Sequence, residues 1–175
     1  MATVRDRAAA PVAVVGRGGT LTAGLLRKLQ PYPVVELTPC QAALGDENYR
    51  AIIVENFEPS LPGALSGCAA ARWALARRAG VTVVGLDDPE GRRLAAQGSG
   101  AVYAYSDGRP QADLTAKNVR LRGERLEFEA LTHRELLRVR VPIGPEPRLY
   151  DHLAALAGAL ALGVPLGDAV ARLGG

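Results

Sequence analysis

Residues 11–26 read PVAVVGRGGTLTAGLL, and this stretch gives the first indication of the fold. An apolar run, Val12–Val15, meets a glycine-rich turn, and Thr20 and Thr22 then open a stretch with helical character. This order is typical of a phosphate-binding loop, in which backbone N–H groups and a helix N-terminus hold an anion. The lysine that such a loop uses to reach the outer phosphates is missing, because Gly19 precedes Thr20. The stretch is therefore either an altered binding loop or a tight turn that binds nothing.

The composition is that of a globular protein with one domain, residues 1–175. The chain has 48% hydrophobic and 22% charged residues, and its length suffices to bury a core. The net charge of +3 comes from scattered arginines, which disfavours nucleic acid as a partner. No apolar stretch approaches the ~20 residues that span a membrane, so we expect a cytoplasmic protein without a membrane span. Cys40 and Cys68 have no metal-ligand spacing and are expected to be reduced thiols.

Apolar strand candidates alternate with helical stretches over residues 12–100. The predicted strands are Val12–Val15, Val34–Leu37, Ala51–Val54 and Val81–Leu86. The predicted helices are Thr20–Leu29, Cys68–Ala79 and Gly91–Gln97. This alternation predicts an α/β fold, with a mostly parallel sheet that is covered by helices on both faces.

The pattern changes over residues 101–142, where short, partly alternating segments predict a small antiparallel unit. Its expected strands are Ala101–Tyr105, Ala112–Leu121, Arg125–Leu131 and Leu136–Val141. Residues 150–173 then predict two C-terminal helices, Tyr150–Leu162 and Leu166–Leu173. Gly163 and Pro165 favour an end of the first helix near Leu162.

The order of these pieces resembles the central, ATP-binding domain of the Mur ligases, cytoplasmic enzymes that add amino acids to UDP-N-acetylmuramic acid. VVGRGGTLTAGLL resembles the family's GTNGKTTT loop with one residue deleted. AAARWALARRAGVTVVGLDDPEGRRLA resembles its helix, strand, Asp-Asp-Pro turn and helix, and VPIGPEPRLYDHLAALAGALALGVPL resembles its ending. Within the family, the enzyme that adds the third residue of the stem peptide is the most similar. The ligases have three domains, and this chain has residues for about one.

The resemblance implies a degenerate phosphate loop. Its residues are Gly16, Arg17, Gly18, Gly19 and Thr20. Thr20 stands where the family has the magnesium-binding hydroxyl, and Arg17 is the local cation, on the wrong side of the glycines to replace the lysine. The family's adenine-contacting Asn-x-x-Asn pair is lost, since the corresponding residues run from Arg148 to Asp151. Asp87 and Asp88 resemble the family's Asp-Asp-Pro turn, and Asp-Asp-Pro is a good turn sequence in its own right.

The resemblance also places Glu36 and Arg72 at the family's metal site. Glu36 matches an acidic residue near the magnesium, and Arg72 replaces a lysine that is carbamylated in the family. A guanidinium stays protonated and cannot be carbamylated, so Arg72 puts a positive charge where a metal would bind. Arg72 either pairs with Glu36 or is a solvated arginine. We therefore expect no metal site and no catalytic residue.

These losses indicate a non-catalytic Mur-ligase-like domain, an interaction or regulatory protein linked to bacterial cell-wall precursor synthesis. Its partner would be an unknown protein or a second copy of the chain. ATP and magnesium are not expected as cofactors. Two alternatives remain open at this point. The first is a nucleotide- or phosphate-binding module that uses Arg17 and Arg72. The second is an ATP-dependent ligase subunit that is completed by a partner chain.

Overall fold

The structure is a computed structural model, and it describes residues 10–16, 19–37, 47–55, 76–97, 100–143 and 149–174. In chain order, the elements in these ranges are β1 (Val12–Val15), α1 (Gly19–Leu29), β2 (Val34–Leu37), β3 (Tyr49–Val54), β4 (Ala79–Gly85), α2 (Pro89–Gln97), β5 (Ala101–Ser106), β6 (Leu114–Arg122), β7 (Arg125–Leu131), β8 (Leu136–Pro142), α3 (Leu149–Ala161) and α4 (Leu166–Gly174).

The eight strands form one sheet in the order β2-β1-β3-β4-β5-β6-β7-β8. The strands from β2 to β5 pair in parallel, and β6 joins β5 through two parallel residue pairs. From β6 to β8 the pairing is antiparallel. The α/β fold expected from the sequence is therefore confirmed, with a parallel part and an antiparallel unit in the same sheet.

The boundary between these two parts differs from the prediction. Residues Ala101–Tyr105 were expected in the antiparallel unit, but β5 pairs in parallel with β4, from Val81↔Ala101 to Gly85↔Tyr105. The predicted boundary at residue 101 is wrong, and antiparallel pairing begins with β6. The first residues of β5 are exposed or half-buried, which gives the strand a mixed pattern like that of an antiparallel one. Such a pattern depends on how exposed the residues are, and it does not indicate whether the neighbouring strand is parallel or antiparallel.

Helices cover both faces of the sheet. On one face, the helices α1, α3 and α4 share a core with alternate side chains of the strands. The helices contribute Leu26 from α1 and Leu153 and Leu156 from α3. On the other face Leu94 of α2 packs with Ile52 and neighbouring strand residues. Burial of apolar side chains on both sides explains why β1 and most of β3 are fully buried.

Helix α3 packs against the sheet through its leucine side chains. Leu153 and Leu156 are fully buried, and Leu160 is half-buried against the same core. Gly158 allows this close packing, because a Cβ there would lie 2.9 Å from Leu26 Cδ2 and 3.1 Å from Ile53 Cγ1. Most of the predicted helix Cys68–Ala79 lies outside the described residues, and its last residue belongs to β4.

Candidate functional site

The candidate site lies at the carboxyl ends of the parallel strands. Because the strands run in the same direction, the residues that follow β1, β3 and β4 meet at one edge of the sheet, beside the end of β5. In open α/β sheets this edge is where ligands bind. Gly16, Glu55, Asp87 and Ser106 lie there, and α1 begins beside them.

Gly16 and Glu55 are in direct contact at this edge. The Glu55 amide donates a hydrogen bond to the Val15 carbonyl oxygen at 3.0 Å, which extends the pairing of β1 and β3 by one residue. A Cβ on Gly16 would lie 2.6 Å from the Glu55 Cβ and would overlap the Glu55 carboxylate. Glu55 is only 7% exposed. The predicted phosphate loop therefore begins against a buried carboxylate.

Part of the predicted loop can be placed. Gly16 directly follows β1, and α1 opens at Gly19 and Thr20, so the strand and the helix have the order that a phosphate-binding loop connects. Arg17 and Gly18 lie outside the described residues, and so does the Thr20 side chain. Their role in holding an anion stays a prediction.

A second carboxylate joins α3 to α1 near the loop. Thr22, on the first turns of α1, is fully buried, and its hydroxyl donates to Asp151 Oδ1 at 3.5 Å. Asp151 lies in the first turn of α3, where it also interacts favourably with the positive end of the helix dipole. This residue stands where the resemblance places one of the adenine-contacting amides.

Carboxylates dominate the electrostatics around the buried Tyr105. Burial raises the pKa of the Tyr105 hydroxyl far above its ordinary value, and the charges of Glu55, Asp151 and Asp87 raise it further. All the charged groups among the described residues that act on this hydroxyl are acids. Acidic side chains therefore gather at this edge of the sheet, and one of them, Asp87, also lies 3.7 Å from Arg109.

The pKa of Tyr150, the residue before Asp151, is also raised by burial and by neighbouring carboxylates. Burial raises the pKa of its hydroxyl most, followed by a hydrogen bond to the Asp107 carboxylate, the negative charges of Asp87 and Asp107, and a hydrogen bond to Asp87. The Tyr150 hydroxyl thus links the first turn of α3 to these two carboxylates.

Asp87 and Asp88 have structural roles. Asp87 accepts hydrogen bonds from the Ser106 hydroxyl at 2.6 Å and the Asp107 amide at 3.0 Å, which ties β4 to the end of β5. Asp88 accepts from the Glu90 amide at 2.7 Å and caps α2, whose first residue is Pro89. The prediction that these residues form a turn and not an acid–base pair agrees with this geometry.

Glu36 lies on β2 and pairs with α1. Arg27 Nη2 lies 3.1 Å from Glu36 Oε1 and also donates to the Val34 carbonyl oxygen at 3.2 Å. Arg72, the predicted partner of Glu36, lies outside the described residues, so that pairing stays a prediction. Within the described ranges, no group of three or more His, Cys, Asp or Glu side chains is placed to hold a metal ion.

Sequence reasoning missed Glu55 and the link between Thr22 and Asp151. Glu55 directly follows a buried apolar strand, at the same edge as Gly16, and that position could have identified it. The contact between Thr22 and Asp151 joins residues far apart in the chain and has no local signal.

Within the part of the chain that the structure describes, no helix has both the length and the apolar character needed to cross a membrane.

No protein-family model matches this sequence, and no curated protein is significantly similar to it. Solved structures do match. The UDP-N-acetylmuramoylalanyl-D-glutamyl-2,6-diaminopimelate–D-alanyl-D-alanyl ligase from Acinetobacter baumannii aligns with a TM-score of 0.77 at 21% identity, over 97% of this chain and 46% of the ligase. A UDP-N-acetylmuramoyl-L-alanyl-D-glutamate–2,6-diaminopimelate ligase gives a TM-score of 0.82 at 16% identity, over 94% of this chain and 45% of that one.

A pseudomurein peptide ligase type C from Methanothermus fervidus is also similar, with a TM-score of 0.72 at 14% identity over 94% of this chain and 49% of the ligase. The chain thus spans about half the length of the solved structures that it matches. Its eight-stranded, mostly parallel sheet with flanking helices has the fold of the central α/β domain of the Mur ligases.

Proposed function

We propose that this chain is a non-catalytic domain with the Mur ligase fold, which acts as an interaction or regulatory protein in the cytoplasmic synthesis of peptidoglycan precursors. The link to peptidoglycan rests on the structural neighbours, which are named as ligases of muramoyl peptides. The diaminopimelate ligase among them supports the resemblance to the enzyme that adds the third residue of the stem peptide.

The contact between Glu55 and Gly16 carries the proposal. A phosphate-binding loop works because backbone N–H groups and a cation neutralise the charge of the phosphates. Here the loop begins against a buried carboxylate, and further acids lie around Tyr105. The sequence supplies no lysine before Thr20 that would neutralise the phosphates. We therefore expect this edge to hold nucleotide phosphates weakly.

The former metal site supports the same conclusion. Glu36 is held in an ion pair with Arg27, and the sequence has an arginine at position 72 in place of the family's modified lysine. Without a metal and a cation over the outer phosphates, phosphoryl transfer loses the charge stabilisation on which it mainly depends.

Calorimetric titration of the purified protein with ATP and magnesium tests the proposal. We expect no saturable binding up to ~1 mM nucleotide, the upper end of the usual range of KM values. Replacing both acids, Glu55→Gln with Asp151→Asn, removes two negative charges with little change in shape and should increase the affinity for ATP. Glu124→Gln with Glu135→Gln is the matched control, because both side chains are exposed at turns of the antiparallel unit.

Two other results would contradict the proposal. Saturable binding of ATP by the unmodified protein, competed by ADP or a UDP-sugar, would favour a nucleotide-binding module in which Arg17 and Arg72 hold the anion. ATP turnover in the presence of a co-purifying chain that supplies the missing ligase domains would favour a divided ligase.

A further inference from the structure

The outward face of the antiparallel unit is rich in arginine. Alternate residues of β7, such as Leu126 and Phe128, point into the core, so Glu127 and Glu129 lie on the opposite face. In the strand register, Glu127 lies between Arg120 and Arg140, and Glu129 lies between Lys117 and Arg138. Arg125 lies opposite Arg122. We call this surface the basic face, and it comprises Lys117, Arg120 and Arg122 on β6, Arg125, Glu127 and Glu129 on β7, and Arg138 and Arg140 on β8.

The two glutamates of the basic face are already neutralised. Glu127 lies 3.3 Å from Arg140 and 3.8 Å from Arg122. Glu129 lies 3.9 Å from Arg138 and accepts a hydrogen bond from the Asn118 amide at 2.6 Å. The remaining positive charge of this face is therefore not balanced by its own acids.

Arg120 and Arg125 carry part of that excess. Neither arginine makes an ion pair within the described ranges. Arg125 also lies directly opposite Arg122 in the strand register, an arrangement in which like charges destabilise the sheet. A local cost of this kind is offset when an anionic partner binds across both side chains.

The surroundings of the basic face favour a protein as this partner. Among the large apolar side chains exposed in this unit, Leu136 lies on the same face as Arg138 and Arg140 of β8, whereas Leu121 lies opposite Leu126 on the other face. Arginine next to apolar side chains is typical of protein interfaces. The face offers no aromatic side chain on which a nucleic-acid base could stack, because Phe128 is buried in the core.

The spacing of the arginines indicates the shape of the partner. Residues two apart on a strand lie ~6.8 Å from each other on the same face. Arg120 and Arg122 on β6 repeat at this spacing, and so do Arg138 and Arg140 on β8. An extended acidic segment places its alternate carboxylates at the same interval.

We propose that the basic face binds an extended acidic segment of a partner protein, whose alternate carboxylates meet Arg120, Arg125 and their neighbours. The proposal extends the interaction role inferred above by giving the chemical class of the partner. Its test uses no nucleotide, so it can fail while the non-catalytic assignment stands, and the reverse also holds.

Fluorescence anisotropy with a labelled peptide tests this proposal. The probe is an extended peptide of about eight residues, ~27 Å long, with Glu alternating with Thr. We expect the full chain to bind it more tightly than the same peptide with Gln for Glu, and to lose affinity as salt is added. The double variant Arg120→Gln/Arg125→Gln should weaken binding roughly fivefold, or about 1 kcal/mol in total, since each exposed charge pair contributes about 0.5 kcal/mol.

Two further variants separate the charge of this face from the net charge of the chain. Lys28→Gln/Arg93→Gln removes two positive charges from the helices and should leave the affinity unchanged. Glu127→Gln frees Arg122 and Arg140 and should tighten binding. Equal binding of the Glu and Gln peptides, or equal loss in the two double variants, would overturn the proposal. Tighter binding of a single-stranded oligonucleotide of similar length would do so in favour of nucleic acid.

Discussion

Glu55 lies directly against Gly16, where β3 and β1 end side by side. The Glu55 amide donates to the Val15 carbonyl oxygen, and the Glu55 side chain occupies the space that a Cβ of residue 16 would need. Position 16 thus needs a glycine because the Glu55 side chain leaves no room for a Cβ, whether or not an anion binds to the loop. This relationship leads to a direct test of stability.

Replacing Gly16 by Ala should destabilise the protein by about 1–3 kcal/mol, since the new methyl group would lie 2.6 Å from the Glu55 Cβ and force a backbone shift. Gly24→Ala is the matched control. A Cβ at Gly24, in the middle of α1, meets no atom within 4 Å, and alanine there should stabilise the helix by up to about 1 kcal/mol. Urea denaturation measures both changes, and equal stability of the two variants would contradict the contact.

Leu156 on α3 should be among the most sensitive core positions. Its side chain is fully buried between α3 and the sheet, so Leu156→Ala would leave a cavity and lower the free energy of unfolding by about 2–5 kcal/mol. Leu121→Ala removes the same atoms from a side chain that is 59% exposed and should change stability by no more than about 0.5 kcal/mol. Similar losses in both variants would show that α3 does not pack as described.

The protein should lose stability at alkaline pH. Burial, helped by the negative charge of Asp113, raises the pKa of Tyr103 from 10.0 to about 12. The folded state therefore keeps this proton to a higher pH than the unfolded chain does. Its contribution to stability is fully present below about pH 10 and is lost as the pH rises through about 12.

Urea denaturation at several pH values between about 9 and about 12 checks this prediction. The free energy of unfolding should fall less steeply with pH in Tyr103→Phe, because the variant lacks one of the groups that release a proton on unfolding. Parallel pH profiles for the variant and the unmodified protein would show that Tyr103 titrates normally.

The chain alone should show no measurable ATP hydrolysis and no amino-acid ligation. Loss of one charge stabiliser typically lowers a rate by ~10²–10³-fold, and the sequence lacks both the loop lysine and the lysine replaced by Arg72. Gly19→Lys should not restore turnover, because the second change remains. Sensitive phosphate-release assays with magnesium measure this, with Thr20→Ala as the background. Turnover of the unmodified chain above that background would refute the non-catalytic assignment.

Much of the fold was predictable because its signals are local. Val12–Val15 and Val34–Leu37 have the bounds that the sequence predicts, since short apolar runs between turn residues favour strands, whether fully buried as in β1 or half-buried as in β2. The end of α3 was also predictable, because glycine is common just beyond a helix, where the chain adopts a positive φ. Gly163 has a φ of 87° in the structure. The direction of β5 was not predictable, because a strand's own pattern does not reveal whether its neighbour is parallel.

The α/β class, the strand and helix on either side of the loop and the absence of its lysine can be read from the sequence, since they depend on residues close together in the chain. What surrounds the loop depends on the tertiary structure. It brought Glu55 against Gly16, Asp151 to Thr22 and Arg27 to Glu36, and it gathered the arginines of three strands on one face. The electrostatic potential at a site is the sum over all charged groups that the fold brings near it. These groups can be distant in sequence from the residues they contact, as Asp151 is from Thr22, with 129 positions between them in the numbering.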